Sequence, residues 1–175
     1  LYRMLQRWWV SRSIPWLKAH GGRGYEFIAQ RWDESSPATQ WFLFVVVLAF
    51  LTRIFGLGTQ SLWLDEGATW AEVHDKSFYQ LFRELWSSDA AYPLYHLFLK
   101  GWIGLVGDSE AMMRLPSAFA SAVAIAATSL LFERQPQRGF VAIVMITAPY
   151  VYWHAYDAKV YAFVLAFAAV IMILR

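Results

Sequence analysis

The chain has 175 residues; 58% are hydrophobic, 18% aromatic and only 16% charged. A soluble domain carries about 25% charged residues, and here the apolar excess lies in uniform runs, which excludes an ordinary water-soluble globule and points to lipid. A net charge of +2 excludes a basic nucleic-acid binder, and the lack of Cys excludes disulfides and thiolate metal sites.

Residues 1–40 hold six Lys/Arg against three Asp/Glu. Trp8, Trp9, Ile14, Trp16 and Leu17 interleave with Arg3, Arg7, Arg12 and Lys18. The pattern predicts a basic helix lying on the cytoplasmic membrane surface, with a disordered basic tail as the plain alternative. Gly21, Gly22 and Gly24 end it, and no apolar core of the signal-peptide kind follows.

Residues 41–58 read as the first span, with Arg53 near its end, where the side chain is expected to reach the interface. Residues 59–113 read as a long acidic–aromatic external loop containing two amphipathic helices, 77–87 and 92–106. Residues 115–132, rich in Ala and Ser, are a second span whose small residues allow close helix contact. Residues 139–153 and 160–174 are the third and fourth. The expected fold is thus all-α and membrane-integral, with about four transmembrane helices and residues 41–175 forming the transmembrane part. The bases of the tail, of the 134–138 connection and of Arg175 then share one side, so the positive-inside rule puts the N-terminus in the cytoplasm of an inner or plasma membrane. Taking 92–106 as a full span would reverse part of this, but that segment is short and carries His96 and Lys100. The chain starts at Leu1 and stops at Arg175 straight after an apolar run, which reads as the N-terminal piece of a longer protein, expected to be inactive alone. A complete small membrane protein is the alternative.

Three stretches carry chemistry. In Ser61-Leu62-Trp63-Leu64-Asp65-Glu66-Gly67, two adjacent carboxylates follow a span. They repel each other near low dielectric unless a cation is close; an ordinary acidic first helical turn explains them as well. In Tyr92-Pro93-Leu94-Tyr95-His96, Pro93 suits a helix start, and Tyr95 and His96 either line a polar site or anchor the interface. In Tyr152–Tyr161, Asp157 and Lys159 stand two positions apart among aromatics. That is either an exposed turn with an ion pair of little worth or, on the predicted topology, part of the same external face as Asp65 and Glu66.

Together, Ser61–Gly67, Tyr92–Pro116 (with Lys100-Gly101-Trp102, Gly107-Asp108-Ser109-Glu110 and Arg114-Leu115-Pro116) and Tyr152–Tyr161 resemble successive blocks of the GT-C membrane glycosyltransferases. The likeness is to the glycosyltransferase family 39 group, related to protein O-mannosyltransferases and the aminoarabinose transferase of lipid A. It covers residues 41–175 and leaves out 1–40. The resemblance implies a transferase in the cell envelope that moves a sugar from a polyprenyl-phosphate donor to a hydroxyl of a lipid, protein or glycan acceptor. Asp65 would be the catalytic carboxylate and Glu66 its partner. Lys100, Arg114, Asp157, Lys159, Tyr161, Tyr95 and His96 would bind substrate. The family block Glu-Ala-Arg-x-Tyr reads Asp157-Ala158-Lys159-Val160-Tyr161 here, and Lys gives up the bidentate phosphate geometry of Arg. The family's His-Pro-Pro-Leu-Tyr reads Ala91-Tyr92-Pro93-Leu94-Tyr95, without the His. No cofactor is required, although paired carboxylates suit a divalent metal. The rival readings are a membrane transporter and a non-enzymatic assembly subunit. No internal repeat of the transporter kind is visible.

Overall fold

The structure is a computed structural model that describes residues 36–87 and 93–175. Residues 1–35 of the basic segment read at 1–40, and the pair Ala91-Tyr92, lie outside the described residues. The chain divides after Gln40 into two compact units. Of the first, the described residues begin a helix: Ser36 Oγ accepts the Thr39 N–H at 3.2 Å, and Pro37 follows at the first helical position.

The described residues form eight helices and no strand. In chain order these are α1 Pro37–Ile54, α2 Leu64–Asp75, α3 Phe78–Ser87, α4 Pro93–Val106, α5 Glu110–Leu130, α6 Gln135–Thr147, α7 Pro149–Ala155 and α8 Tyr161–Ile173. By length and composition, α1 and α5 can each cross a membrane; α8 is apolar but shorter.

Prolines set several boundaries. Pro136 and Pro149 sit in the first turns of α6 and α7, and Pro93 opens α4. Ahead of Pro149, Ala148 takes an extended conformation (ψ 122°), because a residue before proline avoids the helical region. The segment 139–153, read as one span, is therefore two helices, α6 and α7. Pro116 instead lies inside α5. Its missing N–H leaves the Met112 carbonyl without a helical partner, and the Trp102 indole N–H fills that place at 2.8 Å. The helix α5 starts at Glu110 rather than at 115, which puts Arg114 inside it.

The second unit is built on α5. Its Ser117, Ala118, Ser121, Ala122 and Ile125 are buried, and α8 packs on it most extensively through Ala162, Ala166 and Ala169. Small residues on both helices permit that approach. The α1 helix runs antiparallel to α5. Trp41 Nε1 donates to Ser129 Oγ at 2.9 Å near one end, and Arg53 Nε donates to Ser121 Oγ at 3.0 Å near the other. Arg53 therefore points into the fold. It is fully buried, and also donates to the carbonyls of Ala49 and Ile146 and to Thr52 Oγ1. A guanidinium has five donors and gains more from these oxygens than from an apolar surface.

A second core, made of Val73, Leu81, Tyr95, Leu99, Met113 and Ala158, joins α2, α3 and α4 to α5. Outside, Val47 and Leu51 of α1, Phe140 and Ile143 of α6, and Phe167 and Ile171 of α8 are exposed. Such unpartnered apolar stripes are unusual on a water-soluble surface.

Candidate functional site

After α1 the chain turns at Gly56, whose φ of +86° favours glycine. It then runs to Trp63 and enters α2 with Asp65 and Glu66 in the first turn. The two carboxylates part company there. Glu66 is fully buried and reaches back to accept the Trp63 N–H at 3.4 Å, half of a capping box. Its Oε1 accepts Arg114 Nε (2.9 Å) and the Ala158 N–H (2.8 Å), and its Oε2 accepts Arg114 Nη2 (2.5 Å). A bidentate guanidinium pair of this kind is among the strongest polar contacts. Arg114 spends its remaining donors on the carbonyls of Leu57 (2.8 Å), Gln60 (2.8 Å) and Ser61 (3.1 Å). All five of its donors are thereby used within the fold.

Asp65 points the other way, with 57% of its side chain exposed. Its Oδ2 lies 3.8 Å from Lys159 Nζ, which also donates to Thr69 Oγ1 at 2.7 Å. Thr69 is one helical turn beyond Asp65 and so shares its face. The turn that brings Lys159 here is held by the Lys159 N–H on the Asp157 carbonyl (2.7 Å) and by Ser117 Oγ, which donates to the Lys159 carbonyl (3.1 Å).

Asp157 is 2% exposed, and its Oδ2 lies 3.5 Å from His154 Nδ1. Its Oδ1 is buried with no hydrogen-bond partner. Burial pushes the Asp157 carboxyl above its ordinary range, and the Glu66 charge adds to the rise, against opposition from Trp63 and His154. Glu66, Arg114 and Asp157 line a cleft of about 390 Å³ whose other walls include Phe55, Trp63, Tyr152, Trp153 and Tyr156. Tyr152 donates its hydroxyl to that of Tyr156 (3.0 Å), which donates to the Phe55 carbonyl (2.7 Å). Burial, followed by the Tyr152 hydrogen bond, pushes Tyr156 up to about 12.

The structure therefore brings Asp65, Glu66, Arg114, Asp157 and Lys159 together, although residues 66 and 158 are separated by 92 positions. It does not bring Lys100 there. Lys100 Nζ donates to the Val73 carbonyl at 2.6 Å, about 12 Å along α2 from Asp65 at 1.5 Å per residue. There it lines a second cavity, of about 360 Å³, with His74, Phe78 and Asp108. His96 Nε2 pairs with Glu72 Oε2 at 3.2 Å, nearly two turns from Asp65. Tyr95 packs in the core behind Ala158, and burial raises its hydroxyl pKa far above normal. The Tyr161 ring lies 4.6 Å from that of His154.

The sequence reading held Trp63, Ser117, Tyr152, Trp153, His154 and Tyr156 within its motifs without giving them a role, and it did not reach Thr69. Two signals pointed to some of them: Thr69 is four residues from Asp65, and Tyr152 is four from Tyr156, each pair at helical spacing. Both oxygens of Glu66 are taken by N–H donors, so the acidic pair offers one carboxylate, Asp65, to a cation rather than two. Among the described residues no group of three or more His, Asp or Glu is arranged to hold a metal.

No protein-family model, curated protein or solved structure matches this chain.

Proposed function

We propose that the protein is a multi-pass membrane glycosyltransferase, its N-terminus cytoplasmic, that moves a sugar from a polyprenyl-phosphate carrier to an acceptor hydroxyl on the non-cytoplasmic face. The observation that carries the reading is the exposed Asp65 carboxylate 3.8 Å from Lys159 Nζ, backed by the buried Glu66–Arg114 pair. The likeness of the Ser61–Gly67, Tyr92–Pro116 and Tyr152–Tyr161 blocks to family 39 supports it, as do two helices fit to cross a membrane.

In this mechanism Asp65 takes the proton of the acceptor hydroxyl while that oxygen attacks the anomeric carbon. The bond from that carbon to the phosphate oxygen breaks on the opposite side, and the anomeric centre inverts. Polyprenyl phosphate leaves with the electron pair. Lys159 is the best placed of the three candidate cations to stabilise the growing charge, since Arg114 has no free donor and Lys100 is at the far end of α2. Arg114 acts through Glu66, holding the acidic turn against α5.

The test is Asp65→Asn. Transfer in reconstituted membranes should fall by about 10²–10⁴-fold, the usual worth of a general base, with donor binding kept. Full transfer by the variant would remove Asp65 from this role, and no transfer by the parent protein would favour an assembly subunit or transporter.

A further inference from the structure

Lys159 and Asp65 carry opposite charges and lie close together, yet they do not hydrogen-bond. Their separation of 3.8 Å keeps the attraction of charge but is about 1 Å longer than a charge-assisted hydrogen bond. The ammonium makes its short contact, 2.7 Å, with a neutral oxygen instead, Thr69 Oγ1. Thr69 is 2% exposed, and its hydroxyl donates to the Asp65 carbonyl at 3.1 Å. A hydroxyl has one hydrogen. With that hydrogen on the carbonyl, the oxygen can only accept from Lys159.

A threonine bonded back to the carbonyl four residues earlier is common in helices and means little alone. Here the same oxygen also holds a cation from 90 positions away. The backbone of Lys159 is fixed as well, by its N–H on the Asp157 carbonyl and by Ser117 Oγ on its own carbonyl. With the root of the side chain fixed, Thr69 decides where the ammonium comes to rest. That contact uses one of the three ammonium hydrogens, and the Lys159 side chain stays 20% exposed. Without the hydroxyl, the charged acceptor within reach is Asp65 Oδ2. An ammonium hydrogen-bonded there would occupy the carboxylate that must take a proton, and would use up a donor that a phosphate needs.

We infer that Thr69 is a positioning residue: it holds the Lys159 ammonium off the Asp65 carboxylate, so that the carboxylate stays open to an acceptor hydroxyl and the ammonium to the phosphate of the carrier lipid. The inference rests on the glycosyl-transfer reading for the two ligands. Thr69 acts through Lys159 and Asp65, not on the substrate.

The experiment uses the protein purified in detergent and measures equilibrium binding of radiolabelled polyprenyl phosphate, the carrier without its sugar. Thr69→Val keeps the shape and loses the hydroxyl. It should weaken binding about tenfold, the size of one hydrogen bond to a charged group. Thr69→Ser keeps the hydroxyl and should bind as the parent does. The decisive arm adds Asp65→Asn. With no carboxylate for the ammonium to close on, Thr69→Val should then cost about twofold or less. A threonine that only supports the fold would cost the same in both backgrounds. Should Thr69→Val not fold, Thr69→Ala takes its place in both. The inference is overturned by equal losses in the two backgrounds, by a loss with Thr69→Ser as large as with Thr69→Val, by parent-like binding of Thr69→Val, or by a parent that binds no polyprenyl phosphate. Transfer judges the base separately. Full transfer by Asp65→Asn with the Thr69 pattern intact sinks the base and leaves the positioning role standing. Lost transfer by Asp65→Asn, with Thr69→Val binding as the parent does, is the reverse.

Discussion

The two ends of α2 carry similar residues and use them in opposite ways. At the start, Glu66 is buried against Arg114, and every donor and acceptor of that pair is matched. At the end, His74 lies between Asp75 (3.0 Å) and Asp108 (3.6 Å), Trp70 donates to Asp108 at 3.0 Å, and the side chains of His74, Asp75 and Asp108 are about half exposed or more. Charge in water is cheap to leave and cheap to pair, whereas charge inside a fold is expensive to strand. The first end is therefore a joint, tying the 57–61 loop, α2, α5 and the 157–159 turn at one point. The second is a surface cluster.

The largest expected effect breaks the joint. Arg114→Met strands the Glu66 carboxylate and frees three carbonyls. It should destabilise by about 3–5 kcal/mol, the cost of removing one partner of a buried pair, read from denaturant or thermal unfolding in detergent. A loss under 1 kcal/mol would mean that the pair is not isolated from water.

Arg53→Met comes next. Arg53 holds only neutral oxygens, so the loss should be about 1–3 kcal/mol for unsatisfied buried groups, well short of Arg114→Met. Equal losses would show that burial alone, and not the buried counter-charge, sets the cost.

Asp157→Asn sharpens the comparison through pH. The folded state raises the Asp157 pKa, so the native form holds its proton more tightly than the unfolded one. Its contribution is full below the unfolded value of about 3.9 and is lost as pH rises through the raised folded value. The Asn variant should lose less stability than the parent between acid and neutral pH. Parallel stability–pH curves would contradict the raised value.

The smallest effect belongs to the surface end. His74→Ala should change stability by about 0.5 kcal/mol or less, read from the same unfolding curves. A larger loss would make the second end a joint as well.

Much of the local structure was legible in the chain. The amphipathic segments read at 77–87 and 92–106 lie on α3 and α4, with Pro93 at the start of α4. Apolar runs and proline positions are local properties, so neighbouring residues suffice to read them. What failed was also local in form and distant in cause. Nothing near Pro116 tells that Trp102 will serve the carbonyl it leaves open. Nothing near Arg53 tells that Ser121 and Ile146 will draw it inward. Arg114, read as a substrate-binding residue, could not be known to spend every donor on residues 57–66.

By itself, the sequence determined the helical composition and the identities of the acidic pair and of the Asp157–Lys159 turn, because periodicity and residue chemistry are written along the chain; of the four spans read from it, two are helices of membrane length. Only the tertiary structure decided which carboxylate is free. Asp65 and Glu66 are neighbours with the same charge, and what separates them is that one face of the first turn of α2 meets Arg114 and the Ala158 N–H while the other meets solvent and Lys159. Partners some fifty and ninety positions away draw that distinction, and it is an energetic one: the inward group must be fully matched to be buried at all, which leaves the outward group available for chemistry.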